Sequence, residues 1–241
     1  MLSECDSKSS ASDAMIGCCP LCHESACALI HEAIDAVPWK LYDPGCSPRE
    51  SLRFFQCSKC GLTIKDPRVR ANREQERLHY EKHNNDIRDH GYRSHLLKLL
   101  GPVLARVSAN AVGLDYGCGP RLSIEVLARE RGVVCHSYDP HFFPRHETLG
   151  QEGFDFITCS EVAEHFTDPR GEFERLRGML KPGGILGVMT HLVPDDFAGW
   201  WYHRDPTHVV FYAESTFSWI SKNLGLRLIE GEDEVFLLSR E

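Results

Sequence analysis

The sequence predicts an α/β fold, in which a mostly parallel sheet carries a small cysteine-rich module at its N-terminal end. Three observations support this prediction. A short apolar run at residues 111–114 ends in Asp115 and is followed by a glycine turn and a helix-like stretch. A second apolar run, residues 133–138, ends in another acid, Asp139. Two Cys-x-x-Cys pairs stand upstream. Strand, tight turn, helix and strand in succession are typical of a wound α/β sheet.

Length and composition describe an ordinary globular protein. The 241 residues suffice for one α/β domain with a small appendage, and 42% hydrophobic and 26% charged residues are typical values. No apolar run approaches the roughly 20 residues of a membrane helix, so no membrane partner is expected. Residues 1–16 are polar and lack the apolar centre of a secretory signal, which predicts a flexible tail. The net charge of −8 argues against a protein whose main function is to bind nucleic acid.

Eleven cysteines, an odd number, predict a reducing compartment, the cytoplasm, in which several thiols are metal ligands or buried apolar groups. Two Cys-x-x-Cys turns provide four thiolates for one ion, and a complete tetrahedral sulfur shell suits structural Zn²⁺. Residues 17–70 accordingly resemble a zinc ribbon. The alternative is four free or redox-active thiols. The predicted ligands are Cys19, Cys22, Cys57 and Cys60.

Residues 71–108 contain two amphipathic stretches, which predict helices linking the module to the main sheet. The polar junction between them is either a helix cap with a turn or a lid over the site. In the second case Tyr80, His83, Asn85 and Tyr92 are candidate contacts. Basic residues outnumber acids from Arg49 to Arg73, which indicates either a solvated face or a weak patch for an anionic substrate or RNA.

Four segments resemble, in order, motifs of the class I S-adenosylmethionine-dependent methyltransferases of the bacterial small-molecule type. They are LDYGCGP, YDP, FDFITCSEVAEHFTDP and LKPGG. The resemblance begins near residue 90 and places the cofactor-binding domain at residues 109–241. It implies a Rossmann-like sheet, mostly parallel, whose last strand is antiparallel, with S-adenosyl-L-methionine as cofactor.

The resemblance also implies which residues contact the cofactor. The glycines allow the methionine part of the cofactor to lie against the backbone, and Asp139 accepts hydrogen bonds from the ribose hydroxyls. The full predicted set is Asp115, Gly117, Cys118, Gly119, Asp139, Pro140, Ser160 and Glu161.

The sequence departs from the family pattern at two places. Arg121 stands where the third glycine is usual. Only fourteen residues separate Asp139 from Phe154, so we expect the third strand to be reduced or missing. The adenine contact is therefore unassigned, with His141 and Phe142 the nearest candidates.

The segment after the fifth strand, residues 191–212, is dense in aromatic and ionisable side chains. It emerges where open parallel sheets bind ligands. We expect His208 to act as general base or substrate orienter, with Asp205 fixing its tautomer. His165 is the third catalytic candidate, although in the family pattern it is also interpreted as structural. The predicted substrate contacts are Tyr92, Trp200, Trp201, Tyr202, His203 and Arg204. The alternative is an aromatic cap on the core in which Asp205 and His208 are paired.

Together these observations predict an enzyme that moves a methyl group to a small-molecule acceptor by in-line displacement. One alternative is an RNA methyltransferase that holds its substrate through the zinc ribbon. The other is a non-catalytic module that retains the cofactor-binding fold.

Overall fold

The computed structural model describes residues 17–33, 51–82, 85–144 and 153–241. The predicted tail, Arg49 and His83 lie outside the described residues. The strands are β1 (Cys27–Ala33), β2 (Leu52–Cys57), β3 (Thr63–Lys65), β4 (Val112–Tyr116), β5 (Val134–Tyr138), β6 (Phe154–Ser160), β7 (Leu180–Met189), β8 (Val210–Phe211), β9 (Leu226–Glu232) and β10 (Val235–Arg240). The helices are α1 (Arg73–Tyr80), α2 (His90–Leu104), α3 (Ser123–Arg129), α4 (Pro169–Met179) and α5 (Glu214–Asn223).

The main sheet has the strand order β5-β4-β6-β7-β10-β9. Strands β5, β4, β6 and β7 are parallel, and β10 runs antiparallel to both of its neighbours. This confirms the predicted mostly parallel sheet with an antiparallel last strand. Among the described residues the sheet ends at β5. The reduced third strand stays a prediction, because residues 145–152 lie outside the described part of the chain.

Helices cover both faces of this sheet, so its central strands are buried and nearly continuously apolar. Strand β6 illustrates this, with Phe156, Ile157 and Cys159 fully buried. On one face α2 and α3 pack through residues that include Leu99 and Leu127. Helices α4 and α5 pack on the other face. Among the described residues, no helix has the length and apolar character that crossing a bilayer requires.

The two linker helices occur close to where the sequence predicts them, and local capping explains their starts. Asn72 and Gln75 form a reciprocal capping box at the first turn of α1. The Asp89 carboxylate accepts the Tyr92 amide at 2.8 Å and starts α2. Helix α2 thus begins with Tyr92 in its first turn, which aims this side chain at the carboxyl edge of the sheet.

The cysteine-rich region has its own antiparallel sheet, with the order β1-β2-β3-β8. Its last strand comes from residues 210–211, far along the chain, and pairs with Thr63 and Ile64. The buried thiols share one apolar cluster with side chains of α4 and α5, including Phe173 and Phe217. The sequence predicts a boundary at residue 70, but in the structure the residues before this boundary share a sheet and an apolar core with the residues that follow it.

Candidate functional site

A cavity of about 630 Å³ opens at the carboxyl ends of β4, β5 and β6. This is where open α/β sheets bind ligands. Fourteen of the seventeen residues predicted to contact cofactor or substrate or to act in catalysis line it. They are Tyr92, Asp115, Gly117, Cys118, Gly119, Asp139, Pro140, Ser160, Glu161, His165, Trp201, Tyr202, Asp205 and His208.

The glycine turn after β4 forms one wall of the cavity. Gly117 and Gly119 have φ angles of +81° and +64°, in the left-handed region that favours glycine. A Cβ on Gly117 would lie 2.5 Å from the Val162 side chain, whereas Gly119 has no atom closer than Asn85 Nδ2 at 4.0 Å. The turn therefore packs tightly on the segment after β6 and leaves bare backbone facing open space.

Asp139 connects this turn to the end of β5. Its carboxylate accepts the Gly119 amide at 2.9 Å through Oδ2. Through Oδ1 it accepts the amides of His141 at 2.8 Å and Phe142 at 3.0 Å. Each carboxylate oxygen has two lone pairs, so Oδ2, which accepts one hydrogen bond, can accept a further one. The side chain thus shapes the turn and keeps acceptor capacity for a ligand hydroxyl.

Asp115, at the end of β4, is fully buried beneath the turn. Burial raises the pKa of its carboxyl to about 7, although the Thr158 hydroxyl donates to it at 3.0 Å. A carboxylate enclosed beside the negative Asp139 costs free energy when it ionises.

We expect Asp115→Asn to stabilise the unliganded protein above pH 7. An acid whose pKa is raised from its ordinary value near 4 to about 7 loses stability progressively as the pH rises through that window. The amide has no such loss, so the variant should gain roughly 2–4 kcal/mol over the parent at pH 8 and little at pH 4. Urea unfolding of both proteins from pH 4 to pH 8 measures this. A stability difference that does not change with pH would refute the assignment.

The opposite wall carries two carboxylates joined by one hydroxyl, and the side chain of Glu161 is partly exposed. Glu164 lies in a short 3-10 turn, Ala163–His165, and is fully buried. Tyr202 OH lies 2.6 Å from Glu164 Oε1 and 2.9 Å from Glu161 Oε2. Thr190 donates to the other Glu164 oxygen at 3.0 Å. Burial raises the pKa of Glu164 to about 7, and burial together with the Glu164 charge raises that of Glu161 to about 8.

Two histidines complete this wall, and their hydrogen bonds fix their tautomers. His208 Nδ1 lies 2.9 Å from the Tyr202 carbonyl oxygen, and His165 Nδ1 lies 3.0 Å from the Thr207 carbonyl oxygen. A carbonyl only accepts, so both Nδ1 atoms carry the proton and both Nε2 atoms present a lone pair. Burial lowers the pKa of each imidazole, which keeps both neutral. We call Glu161, Glu164, His165, Tyr202 and His208 the acceptor-side cluster.

Asp205 does not play the predicted part of fixing the His208 tautomer, because the Tyr202 carbonyl does so. The Asp205 carboxylate instead accepts the Thr207 amide at 2.8 Å and its hydroxyl at 2.6 Å. Its other oxygen lies 3.0 Å from His79 Nε2. An Asp-Pro-Thr turn of this kind directs the carboxylate back to its own backbone. Burial opposes ionisation, but these bonds lower the pKa of Asp205 below its usual range.

Three predicted substrate contacts lie away from the cavity. His203 stacks on Phe197 with ring centroids 4.8 Å apart, and Trp200 packs against the same residue at 5.9 Å. Arg204 is exposed. The 3-10 turn Tyr202–Arg204 explains the split, because three residues per turn send consecutive side chains in different directions. Tyr202 faces the cavity, and Trp201 remains at its rim.

Sequence reasoning placed no weight on several residues that contribute to the cavity. The spacing Glu161-x-x-Glu164-His165 was the available signal for Glu164, since three ionisable groups directly follow a buried strand. Tyr80, one of the lid candidates, lines the cavity, and its hydroxyl lies 3.1 Å from His165 Nδ1. Further lining residues without a predicted role are Glu76, His95, Glu172 and Arg175.

The four predicted metal ligands lie together and buried, away from the cavity. Cys19 Sγ is 3.6 Å from Cys60 Sγ, and Cys22 Sγ is 3.4 Å from Cys57 Sγ. Sulfurs bound tetrahedrally at the usual Zn–S length of about 2.3 Å stand roughly 3.8 Å apart, so this cluster fits zinc. The thiols are not joined as disulfides.

The described residues of the basic stretch that ends at Arg73 are mostly engaged within the protein. Lys65 is buried, and its ammonium donates to the Asp205 carbonyl at 2.6 Å. Arg53 pairs with Glu32 at 2.8 Å, and Arg73 donates to the Pro140 carbonyl at 2.9 Å. These contacts favour the interpretation of a partly solvated face rather than a surface for RNA.

Comparison with known proteins agrees with the architecture. A 95-residue segment is 32% identical to the ubiquinone biosynthesis O-methyltransferase of Histophilus somni, and a 92-residue segment is 34% identical to that of Cronobacter sakazakii. The matched segments cover 38% of this chain and 40% and 37% of those proteins, so the chain matches about two fifths of each relative.

The solved structures that share the fold include that of Burkholderia thailandensis 1,6-didemethyltoxoflavin-N1-methyltransferase. It was determined with bound 1,6-didemethyltoxoflavin and S-adenosylhomocysteine. Its TM-score is 0.53 over 77% of this chain and 98% of that chain, at 13% identity. A family described as methyltransferase domain matches residues 63–230, more than half of the sequence. The chain therefore belongs to the class I S-adenosylmethionine-dependent methyltransferase domains.

Proposed function

We propose that this protein transfers a methyl group from S-adenosylmethionine to a hydroxyl oxygen of a small-molecule acceptor. One observation carries the proposal. A single cavity brings a left-handed glycine turn and Asp139 together on one wall, and faces them with a buried acidic and imidazole cluster on the other. The first wall suits the cofactor and the second suits an acceptor that must lose a proton.

The first wall fits the cofactor by shape and by charge. S-adenosylmethionine, when bound, supplies a methyl group on a positively charged sulfur. Gly119 exposes backbone without a side chain above it, and Asp139 has acceptor capacity for ribose hydroxyls. The carboxyl of Asp115, which lines the same cavity, would ionise more readily beside a bound cation.

The volume and lining of the cavity favour a small acceptor. About 630 Å³ lies within the range of small-molecule pockets and must also hold the cofactor. Trp201 provides aromatic surface next to Tyr202 of the cluster, with ring centroids 5.3 Å apart, which suits a flat, partly apolar molecule. The two relatives are named O-methyltransferases, which supports oxygen as the accepting atom.

The chemistry is an in-line displacement in which alignment and desolvation contribute most of the rate. The acceptor oxygen forms a bond to the methyl carbon while the carbon–sulfur bond breaks, and its electron pair stays on sulfur. The acceptor hydroxyl must lose its proton, and the sequence analysis predicts that His208 accepts this proton as general base. The lone pair on Nε2 of that residue is the form that this role requires.

We also propose that Cys19, Cys22, Cys57 and Cys60 bind one structural zinc ion. Their burial and sulfur separations support this, and four thiolates fill a tetrahedral shell without an open position for chemistry. The ion would stabilise the short strands β1 to β3, on which the acceptor-side segment rests.

The test measures S-adenosylhomocysteine formation from S-adenosylmethionine with a panel of small phenols and catechols, and in parallel with total RNA. We expect turnover with hydroxylated small molecules only. His208→Gln should lower kcat by about 100-fold or more while cofactor affinity changes little, because His208 lies on the acceptor wall. His136→Gln, an exposed change on β5, is the matched control and should leave turnover unchanged. Methylation of RNA alone, or absence of cofactor binding, would contradict the proposal.

A further inference from the structure

Three side chains of the acceptor-side cluster point one ligand atom each at a common space. They belong to Glu164, His165 and His208, and these atoms all lie within 4.8 Å of one another. Glu164 Oε1 is 3.8 Å from His165 Nε2 and 3.9 Å from His208 Nε2. These separations are too long for hydrogen bonds. Within the described residues, both Nε2 atoms therefore keep lone pairs that no hydrogen bond uses.

We infer that Glu164, His165 and His208 bind a divalent cation that holds the acceptor's hydroxyl oxygen beside the cofactor. This inference rests on the proposed function, because it names what positions the acceptor in the same cavity. It differs from the predicted role of His208 as a free base, since the metal would take the lone pair.

The hydrogen bonds behind the cluster are those that metal ligands need. A ligating histidine almost always donates its second ring N–H to a carboxylate or a backbone carbonyl, which fixes the ring and its tautomer. His165 and His208 both do this, toward the carbonyls of Thr207 and Tyr202. Glu164 is held in turn by the hydroxyls of Tyr202 and Thr190. Both histidines and the carboxylate are thus oriented before any ion arrives.

The surrounding charge also favours a cation. Glu161 shares the Tyr202 hydroxyl with Glu164, and its Oε1 is buried without a hydrogen-bond partner. Two carboxylates this close repel each other when both are ionised. A divalent ion between them and the imidazoles would offset that repulsion and the cost of burying the charge.

The donor set narrows the kind of ion. Two imidazole nitrogens and a carboxylate oxygen suit Mn²⁺, Fe²⁺, Co²⁺ or Zn²⁺. Metal–ligand bonds of about 2.1 Å place neighbouring ligand atoms roughly 3.0–3.4 Å apart. The two separations between Glu164 and the histidines, 3.8 and 3.9 Å, must therefore shorten by roughly half an ångström to an ångström. The two histidine nitrogens lie within 4.8 Å of each other and must also move closer together. The remaining coordination positions face the cavity, since all three residues line it.

The same short segment bounds the cation site and the cofactor turn. Val162 lies between Glu161 and Glu164, and its side chain fills the space above Gly117. An oxygen on the ion would therefore lie close to the cofactor wall. A metal-bound hydroxyl ionises at lower pH, so its proton passes to water and His208 need not take it. Acceptors with two adjacent oxygens, such as catechols, would chelate best.

The test titrates the zinc-loaded full chain with Mn²⁺, followed by electron paramagnetic resonance of the free ion. We expect one site per chain, and at least 10-fold weaker binding in Glu164→Gln and His208→Gln. His136→Gln alters an exposed histidine of β5 outside the cavity and should bind Mn²⁺ like the parent. His165→Gln gives a third ligand variant whose side chain is less buried, which guards against loss of fold.

S-adenosylhomocysteine affinity is measured on every variant as the check on folding and on the proposed function. Mn²⁺ bound equally by parent and ligand variants, or not bound while S-adenosylhomocysteine binds, would overturn the inference and leave the proposed function standing. Mn²⁺ binding that depends on the three residues, without cofactor binding, would support the cation site and overturn the proposed function.

Discussion

Replacing Asp139 with alanine is expected to weaken binding of S-adenosylmethionine by about 100-fold or more. The substitution removes the carboxylate that would accept hydrogen bonds from the ribose hydroxyls, each worth roughly 1.5–3 kcal/mol when one partner is charged. The substitution would also leave the amides of Gly119, His141 and Phe142 without their acceptor, so the glycine turn would be less well ordered. Calorimetric titration with the cofactor measures the loss.

Asp155→Ala is the matched control for this change. Asp155 also accepts a strand amide, that of Val112 at 2.9 Å, but it lies at the amino end of β6, away from the cavity. We expect it to bind the cofactor with unchanged affinity. Asp139→Asn keeps the shape of the side chain and should show an intermediate loss. Cofactor affinity that is the same in Asp139→Ala and in the parent would remove the assignment of this residue to ribose.

The double substitution Cys57→Ser, Cys60→Ser is expected to release zinc and to damage the whole protein rather than the ribbon alone. Structural zinc contributes directly to folding, so the free energy of unfolding should fall by roughly 3 kcal/mol or more. Strand β3 pairs with Val210, and the Lys65 amide donates to the Val209 carbonyl at 2.9 Å. The segment that carries His208 rests on these contacts, so turnover should fall as well.

Metal analysis, denaturant unfolding and turnover of the same sample test this result. Cys27→Ser is the control, because Cys27 is equally buried beside the cluster yet is not one of the four converging thiols. It should keep its zinc. An unchanged zinc content after the double substitution would refute the assignment of Cys57 and Cys60 as zinc ligands. Zinc loss with intact turnover would show that the ribbon does not support the site.

The wall formed by the glycine turn and Asp139 was largely predictable from sequence because its determinants are local. A strand ending in an acid, two glycines and a second strand ending in an acid fix the positions of Gly117, Gly119 and Asp139 within one strand-turn-helix-strand unit. The departure at Arg121 did not matter, since both preceding glycines still adopt left-handed backbone.

The acceptor wall was harder to predict because its determinants are not local. The tautomer of His208 depends on the Tyr202 carbonyl rather than on the nearby Asp205, and only the path of the chain decides between them. The pairing of β8 with β3 joins residues almost 150 positions apart, as Thr63 with Phe211 shows, and no periodicity signals it. Trp200 and His203 pack on the core for the same reason, since Trp200 contacts Phe211 and His203 contacts Phe54 of a distant strand.

Calorimetric titration of the zinc-loaded protein with S-adenosylhomocysteine tests the central claim most directly. The account predicts one site per chain with a dissociation constant in the micromolar range, and binding that Asp139→Ala abolishes. Intact protein that binds no S-adenosylhomocysteine would contradict the assignment of this cavity to methyl transfer.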